Sequence, residues 1–104
     1  MYEKFGQFID GKWVQSSSGE TYEVINPANE EVLGRASKAT PIDVEKALNS
    51  AQYGLDTWKK TSPWQRSNII RKIADKIREK QDVLAKWMTL EVGKPFKEAK
   101  GEVM

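Results

Sequence analysis

The fold is decided by TPIDVEKALNSAQYGLDTW, residues 40–58, where a strand-like pattern gives way to a helical one. The stretch opens with a helix start signal, because Thr40 can cap the helix, Pro41 suits its first position and Asp43 follows three residues after the cap. Apolar residues then recur at helical spacing: Val44, Ala47, Leu48, Ala51, Leu55 and Trp58. The stretch therefore predicts an amphipathic helix over residues 41–58.

The pattern stays helical beyond residue 58. Ser62-Pro63-Trp64-Gln65 repeats the start signal as a capping box. It precedes a second apolar stripe made of Ile69, Ile70, Ile73, Ala74 and Ile77. A third helix is predicted after a bend at residues 79–82 and ends at Gly93, and Pro95 opens a short further helix. These helices carry more apolar surface than a few strands can cover, so we expect the sequence to be part of a longer protein.

Before residue 40 the pattern is typical of short strands and turns. Asp10-Gly11 lies between the apolar pairs Phe8-Ile9 and Trp13-Val14, which predicts a hairpin. Residues 21–25 are rich in β-forming residues and stop at Asn26-Pro27. A turn at residues 27–30 is predicted to lead into a third strand over residues 31–36. The sequence thus predicts a small antiparallel meander over residues 1–39 and three or four amphipathic helices over residues 40–104, with no complete second domain.

Composition excludes several kinds of chemistry. The 104 residues carry a net charge of +2 and include no Cys and no His. Their absence removes disulfides, thiolate nucleophiles, imidazole bases and nearly every zinc site. We therefore expect no catalytic residues in this chain and no catalysis by the chain alone.

Charge and hydropathy bear on partners and location. The second predicted helix has a basic face that could bind phosphates, but acidic residues interleave with it and favour ion pairs on a solvated helix surface. No apolar run approaches the roughly 18 residues of a membrane-spanning helix. Residues 1–6 lack the basic-then-apolar order of a signal peptide. We expect a cytoplasmic protein that binds neither nucleic acid nor membrane.

Four motifs in fixed order resemble the amino-terminal segment of NAD(P)-dependent aldehyde dehydrogenases. They are FIDGKW at residues 8–13, VINPA at 24–28, ATPIDV at 39–44 and TLEVGKP at 89–95. Residues 84–102 look most like the succinate-semialdehyde dehydrogenase branch. The resemblance implies an α/β enzyme represented by its amino-terminal part, with residues 40–104 in the cofactor-binding domain.

The same resemblance implies a reaction and its partners. The parent enzyme would oxidise an aldehyde, of the succinate semialdehyde type, to the carboxylic acid with NAD or NADP. Its nucleophilic cysteine and cofactor loop would lie in the remainder of the parent chain, to which this segment would pack. The parent would assemble as a dimer or tetramer of identical subunits.

A structural cation site is also implied by the resemblance. Several family members hold a monovalent cation with backbone carbonyls just before the Asn-Pro and an acidic side chain three residues before the Lys-Pro. Here those positions are Val24, Ile25 and Glu91. Oxygen ligands of this kind suit Na⁺ or K⁺, which are hard cations. The alternative is that Glu91 is a solvated charge near a helix end.

Two functions of other classes remain open from the residues alone. The chain could be a free-standing helical interaction module that docks a protein through a Trp-rich face. It could also be a nucleic-acid binder that uses the basic helix, in which case binding would weaken steeply with salt.

Overall fold

The computed structural model describes Tyr2 and residues 5–104. Four strands come first: β1 (Gln7–Ile9), β2 (Lys12–Val14), β3 (Thr21–Ile25) and β4 (Val32–Ser37). Four helices follow: α1 (Pro41–Trp58), α2 (Pro63–Glu79), α3 (Gln81–Val92) and α4 (Phe96–Val103). The predicted order of strands and then helices is confirmed, and α1 has the predicted bounds.

The strands form two separate antiparallel pairs, β1–β2 and β3–β4. The predicted hairpin is present, with Phe8 opposite Trp13. Its turn residues Asp10 and Gly11 have φ values of 53° and 71°, as a two-residue turn with positive φ at both positions requires. The predicted single meander is wrong, since the strands form two separate pairs. The reason is that residues between β2 and β3 form hydrogen bonds with the start of α1. There the Ser17 backbone N–H donates to the Asp43 carboxylate.

Local signals set the helix ends. Thr40 and Ser62 each accept a hydrogen bond from the backbone N–H three residues later, and both capping boxes are complete. The C-cap of α3 is Gly93, whose φ of 75° is the left-handed conformation that glycine adopts without steric cost. The predicted starts of α1 and α2 and the predicted end of α3 are therefore confirmed.

The chain divides into two compact units. The first contains the residues up to Val24 together with Val32–Lys60, and the second contains Ile25–Glu31 together with Thr61–Met104. In the second unit α3 packs against α4. Ala85 of α3 and Ala99 of α4 have 0% exposure, and they are the only buried apolar residues in the part of the chain that the structure describes.

Most large apolar side chains are exposed. No residue of α2, all of which the structure describes, is buried. Its isoleucines at 69, 70, 73 and 77 are between 41% and 57% exposed, and Leu48 of α1 is 65% exposed. The amphipathic stripes that the sequence predicts thus exist as formed helix faces that the described residues leave uncovered. The assignment of residues 40–104 to a cofactor-binding domain stays a prediction.

Candidate functional site

The three predicted cation ligands lie in different units. Val24 is half-buried in β3 and belongs to the first unit. Ile25 ends β3, and Glu91 lies in the last turn of α3 with an exposed side chain; both belong to the second unit. A cation site formed by Val24, Ile25 and Glu91 stays a prediction.

Within the second unit, the turn after β3 lies against the end of α3. A methyl group added at Gly93 would lie 3.1 Å from Cγ of Pro27. Because Pro27 is two residues from Ile25 and Gly93 is two residues from Glu91, this contact brings together two motifs that are more than sixty positions apart in the sequence. The sequence predicted neither this contact nor its dependence on the missing side chain of Gly93.

Hydrogen bonds fix the conformation of that turn. Asn26 is 9% exposed, and its side-chain Oδ1 accepts from the Ala28 backbone N–H at 3.0 Å. The Asn26 backbone carbonyl accepts from the Glu30 N–H at 2.8 Å, and the Asn26 N–H donates to the Glu31 carbonyl at 2.9 Å. An asparagine side chain that bonds two residues ahead in this way makes an Asx turn, which explains its position before Pro27.

A second polar cluster surrounds Asp43 in the first unit. Asp43 is 3% exposed, and its Oδ2 accepts from the Thr40 backbone N–H at 3.0 Å and the Thr40 hydroxyl at 3.1 Å. The Ser17 backbone N–H donates to the same oxygen at 3.1 Å. The Ser16 hydroxyl and the Gln7 side-chain amide complete the set, each at 3.4 Å. One carboxylate therefore joins the start of α1 to β1 and to the serine loop.

The electrostatics of Asp43 follow from these donors. The Thr40 backbone N–H contributes most, and with the Ser17 N–H and the side-chain donors it holds the pKa of Asp43 well below its usual range. Burial acts in the opposite direction and is outweighed. A carboxylate with so low a pKa and so many internal donors is a poor proton acceptor, so we assign Asp43 to structure and not to catalysis.

The sequence predicted the contact of Asp43 with Thr40 but not its contacts with Ser16 and Ser17. It predicted Asp43 as the acidic partner of Thr40 in a capping box, which the structure confirms. It assigned no role to the serine run at residues 16–18. No local signal could have found these contacts, because the shortest bond comes from the Ser17 backbone N–H, a group that every residue except proline carries.

The described residues also bear on metal binding and on membrane insertion. Tyr2 and residues 5–104 contain no group of three or more acidic, His or Cys side chains placed to hold a metal ion. Over the same residues, no helix is both long enough and apolar enough to cross a membrane.

Comparison with known proteins gives related enzymes. The profile of the aldehyde dehydrogenase family matches residues 13–104. Glutarate-semialdehyde dehydrogenase of Pseudomonas aeruginosa is 38% identical over 96 residues, which is 92% of this chain and 20% of that enzyme. The chain thus spans about one fifth of this curated relative's length.

Solved structures agree. The chain superposes with a TM-score of 0.91 on betaine aldehyde dehydrogenase from Staphylococcus aureus in complex with NAD⁺, at 36% identity over 94% of this chain and 20% of that one. It gives the same TM-score of 0.91 with an NAD-dependent aldehyde dehydrogenase from Sinorhizobium meliloti, at 37% identity over 95% of this chain and 20% of that one. A match of this extent confirms the resemblance drawn from the four motifs. The chain belongs to the aldehyde dehydrogenase family.

Proposed function

We propose that this chain forms the amino-terminal part of an enzyme that oxidises an aldehyde to the carboxylic acid with NAD or NADP. The observation that carries the proposal is the family match over residues 13–104 together with a relative that is 38% identical over 92% of this chain and of which the chain covers 20%. The NAD⁺-bound structure with the same fold supports the cofactor class.

The substrate in this proposal is a short aldehyde that carries a terminal carboxylate. Two observations support it. Residues 84–102 resemble the succinate-semialdehyde branch, and the relative from Pseudomonas aeruginosa is named as a glutarate-semialdehyde dehydrogenase. Both molecules share the same reacting group and differ by one methylene.

This chain's role in the enzyme is structural. Its sequence contains no Cys to act as a covalent nucleophile and no His to act as a base. Among the residues that the structure describes, α1 and α2 also lack the glycine-rich start that cradles a dinucleotide. The helices α1 and α2 begin at Thr40-Pro41 and Ser62-Pro63 and not at a glycine-rich turn. The chain alone is therefore inactive, and the cofactor is held by the remainder of the parent chain.

The exposed isoleucines of α2 supply the contact with that remainder. The row Ile69, Ile73 and Ile77 is between 41% and 54% exposed. Burying apolar area of this kind is favourable by about 25 cal/mol per Å². In the proposed enzyme this row packs against the remainder of the subunit, subunits assemble as dimers or tetramers, and the protein is cytoplasmic.

The structural cation is part of the same proposal. The carbonyls of Val24 and Ile25 and the carboxylate of Glu91 would hold Na⁺ or K⁺. If they do, Glu91→Gln weakens the dependence of thermal stability on Na⁺ or K⁺ concentration, whereas Glu98→Gln on α4 leaves it unchanged. Equal behaviour of the two variants would argue that Glu91 is a solvated charge.

The proposal is tested with the protein as the gene encodes it. The absorbance of reduced nicotinamide is followed with succinate semialdehyde, glutarate semialdehyde and betaine aldehyde, each with NAD and with NADP. We expect the highest kcat/KM with the two carboxylate-bearing aldehydes and no turnover by residues 1–104 alone. Absence of activity on every aldehyde would refute the enzyme assignment, and preference for betaine aldehyde would refute only the substrate class.

A free-standing interaction module is the competing function, and the exposed isoleucines of α2 also favour it. The two proposals differ in how purified residues 1–104 behave. A part of an enzyme with uncovered apolar helix faces should self-associate or aggregate. A cooperative thermal transition in a chain that stays monomeric at high concentration would favour the module instead.

A further inference from the structure

Residues 69–80 follow a four-residue pattern three times in succession. The three units are IIRK, IADK and IREK, and each begins with isoleucine and ends with lysine. Side chains four positions apart form a ridge on a helix surface. Helix α2 with its C-cap therefore carries an isoleucine ridge beside a lysine ridge. The members of the two ridges are Ile69, Ile73 and Ile77, and Lys72, Lys76 and Lys80.

The two ridges line one groove, which lies within the second unit. Together with Leu84 of α3, the six side chains enclose about 570 Å³. The isoleucines are between 41% and 54% exposed, and all three lysines are exposed. Among the described residues, no acidic side chain lines this groove. We call it the lysine–isoleucine groove.

Two of the three lysines carry a charge that no ion pair offsets. The two acidic residues of α2 already pair with Arg78 and Lys76, at 3.0 Å and 2.6 Å. Lys72 and Lys80 form no salt bridge with any residue that the structure describes. They are eight positions apart, which is roughly 12 Å along a helix. The groove thus joins an apolar floor to an edge with two separate positive charges.

A second copy of α2 is a poor cover for this groove. Within Pro63–Glu79 five side chains are basic and two are acidic, a net charge of +3. Packing two such faces together would bring like charges close to each other, which is unfavourable at an interface. The chain spans about one fifth of its relative from Pseudomonas aeruginosa, so in the proposed enzyme most of the subunit is available to supply a cover of the opposite charge.

We propose that the lysine–isoleucine groove is covered by an acidic amphipathic segment of the remainder of the parent subunit. Its apolar side chains lie on the isoleucine ridge, and its Asp or Glu side chains pair with Lys72 and Lys80. The inference rests on the proposed function, in which the isoleucine row packs against that remainder, and adds the chemistry of the covering segment. Opposite charges at the edge of an apolar contact fix its register and reject segments of the wrong sign.

The first test joins lysines to neighbouring carboxylates in the protein as the gene encodes it. A carbodiimide couples the two groups as an amide without a spacer, and mass spectrometry of the digest identifies both residues. We expect Lys72 and Lys80 to be joined to Asp or Glu of one segment outside residues 1–104. Lys86 and Lys97 are exposed lysines of the same unit that do not line the groove, and they should not be joined to that segment. Absence of the expected crosslinks would overturn the proposal.

Isotope labelling separates the subunit's own segment from a second copy. Unlabelled and ¹⁵N-labelled proteins are mixed before the coupling. We expect crosslinks of Lys72 and Lys80 within one copy. Crosslinks that join a labelled to an unlabelled copy would assign the groove to a subunit interface and overturn the proposal.

Matched charge reversals test whether the pairs hold the cover in place. The double variant Lys72→Glu/Lys80→Glu turns attraction into repulsion, so hydrogen exchange of the crosslinked segment should speed up at least roughly tenfold. The control Lys86→Glu/Lys97→Glu makes the same charge change elsewhere on the unit and should alter that exchange less than about twofold. Equal effects of the two variants would contradict the proposal. The crosslinks use unsubstituted protein, so they decide the question even if the double variant misfolds.

This inference and the proposed function fail separately. An active dehydrogenase without the crosslinks would refute the acidic cover alone, whereas crosslinks in a protein without activity would refute the enzyme assignment alone. An anionic membrane is another surface that suits an apolar face edged with lysines. Sedimentation of the protein with vesicles of phosphatidylserine and phosphatidylcholine, lost in Lys72→Glu/Lys80→Glu, would show that the groove is open and overturn the proposal.

Discussion

Each of the two units contains a buried contact, and the two contacts differ in chemistry. In the first, the buried Asp43 accepts hydrogen bonds from Thr40, Ser17, Ser16 and Gln7, which we call the polar junction. In the second, α3 and α4 each contribute one alanine of 0% exposure, Ala85 and Ala99, which we call the alanine junction. Hydrogen bonds to a charge depend on protonation and direction, whereas close packing depends on side-chain volume. The two junctions should therefore fail under different changes.

The largest effect is expected from Asp43→Asn. The amide can place its oxygen where Oδ2 accepts from Thr40, Ser17, Ser16 and Gln7, but it carries no charge, so these charge-assisted hydrogen bonds become weaker neutral ones. Its NH₂ group then stands at the position of Oδ1, against the Ser17 N–H. In the protein as the gene encodes it, hydrogen exchange should speed up in the first turns of α1 and in residues 15–18. Asp56→Asn, on the same helix but with a half-exposed side chain, should leave that exchange unchanged.

The same junction should respond to pH, and the sign is fixed by the lowered pKa of Asp43. A carboxyl whose pKa falls on folding stabilises the folded state above its ordinary value of 3.8, and this contribution is lost as the pH falls further. Protection of the start of α1 should therefore be constant near neutral pH and decline below about pH 4. In Asp43→Asn the decline should be absent, and an unchanged decline would assign it to other carboxyls.

The alanine junction should instead respond to volume. Ala85→Leu inserts three carbon atoms at a position of 0% exposure, and overpacking of a buried site costs about 1–3 kcal/mol. The protection of α3 and α4 amides against hydrogen exchange should fall by that amount, and the size of this loss should not depend on pH. Ala51→Leu, at an exposed position of α1, is the matched control and should have little effect. If both variants behaved alike, close packing would not explain the junction.

A smaller effect is expected where the turn after β3 meets the end of α3. Gly93→Ala forces a left-handed conformation on alanine, at a cost of about 1–2 kcal/mol, and brings its methyl group close to Pro27. Gly101→Ala has the opposite sign, because Gly101 lies inside α4 with open space around it and alanine favours helices by about 0.5–1 kcal/mol. Both changes in stability are measured as amide protection against hydrogen exchange at the end of α3 and in α4. If both substitutions changed protection in the same direction, the conformations assigned to Gly93 and Gly101 would be contradicted.

The sequence predicted the features that are set by neighbouring residues. Both capping boxes, the Asp10-Gly11 turn and the end of α3 at Gly93 depend on signals within a few positions, and all are confirmed. The polar junction was missed in part because Ser17 and Asp43 are 26 positions apart, and no local pattern tells a loop serine which distant acceptor it will meet. The cation ligands were placed by resemblance, and carbonyl directions depend on backbone geometry that a motif does not carry.

The smallest effect is expected from the surface ion pairs of α2, which contribute to neither junction. Lys76 Nζ lies 2.6 Å from Glu79 Oε2, and the two side chains are 71% and 59% exposed. A double-mutant cycle with Lys76→Ala and Glu79→Ala should give a coupling of about 0.3–0.5 kcal/mol, since exposed pairs gain little in water. The coupling, measured from hydrogen exchange of α2 amides, should shrink further as salt is added. A coupling as large as the loss from Ala85→Leu would show that charge on this face stabilises the second unit, and the contrast between a polar and an apolar unit would then fail.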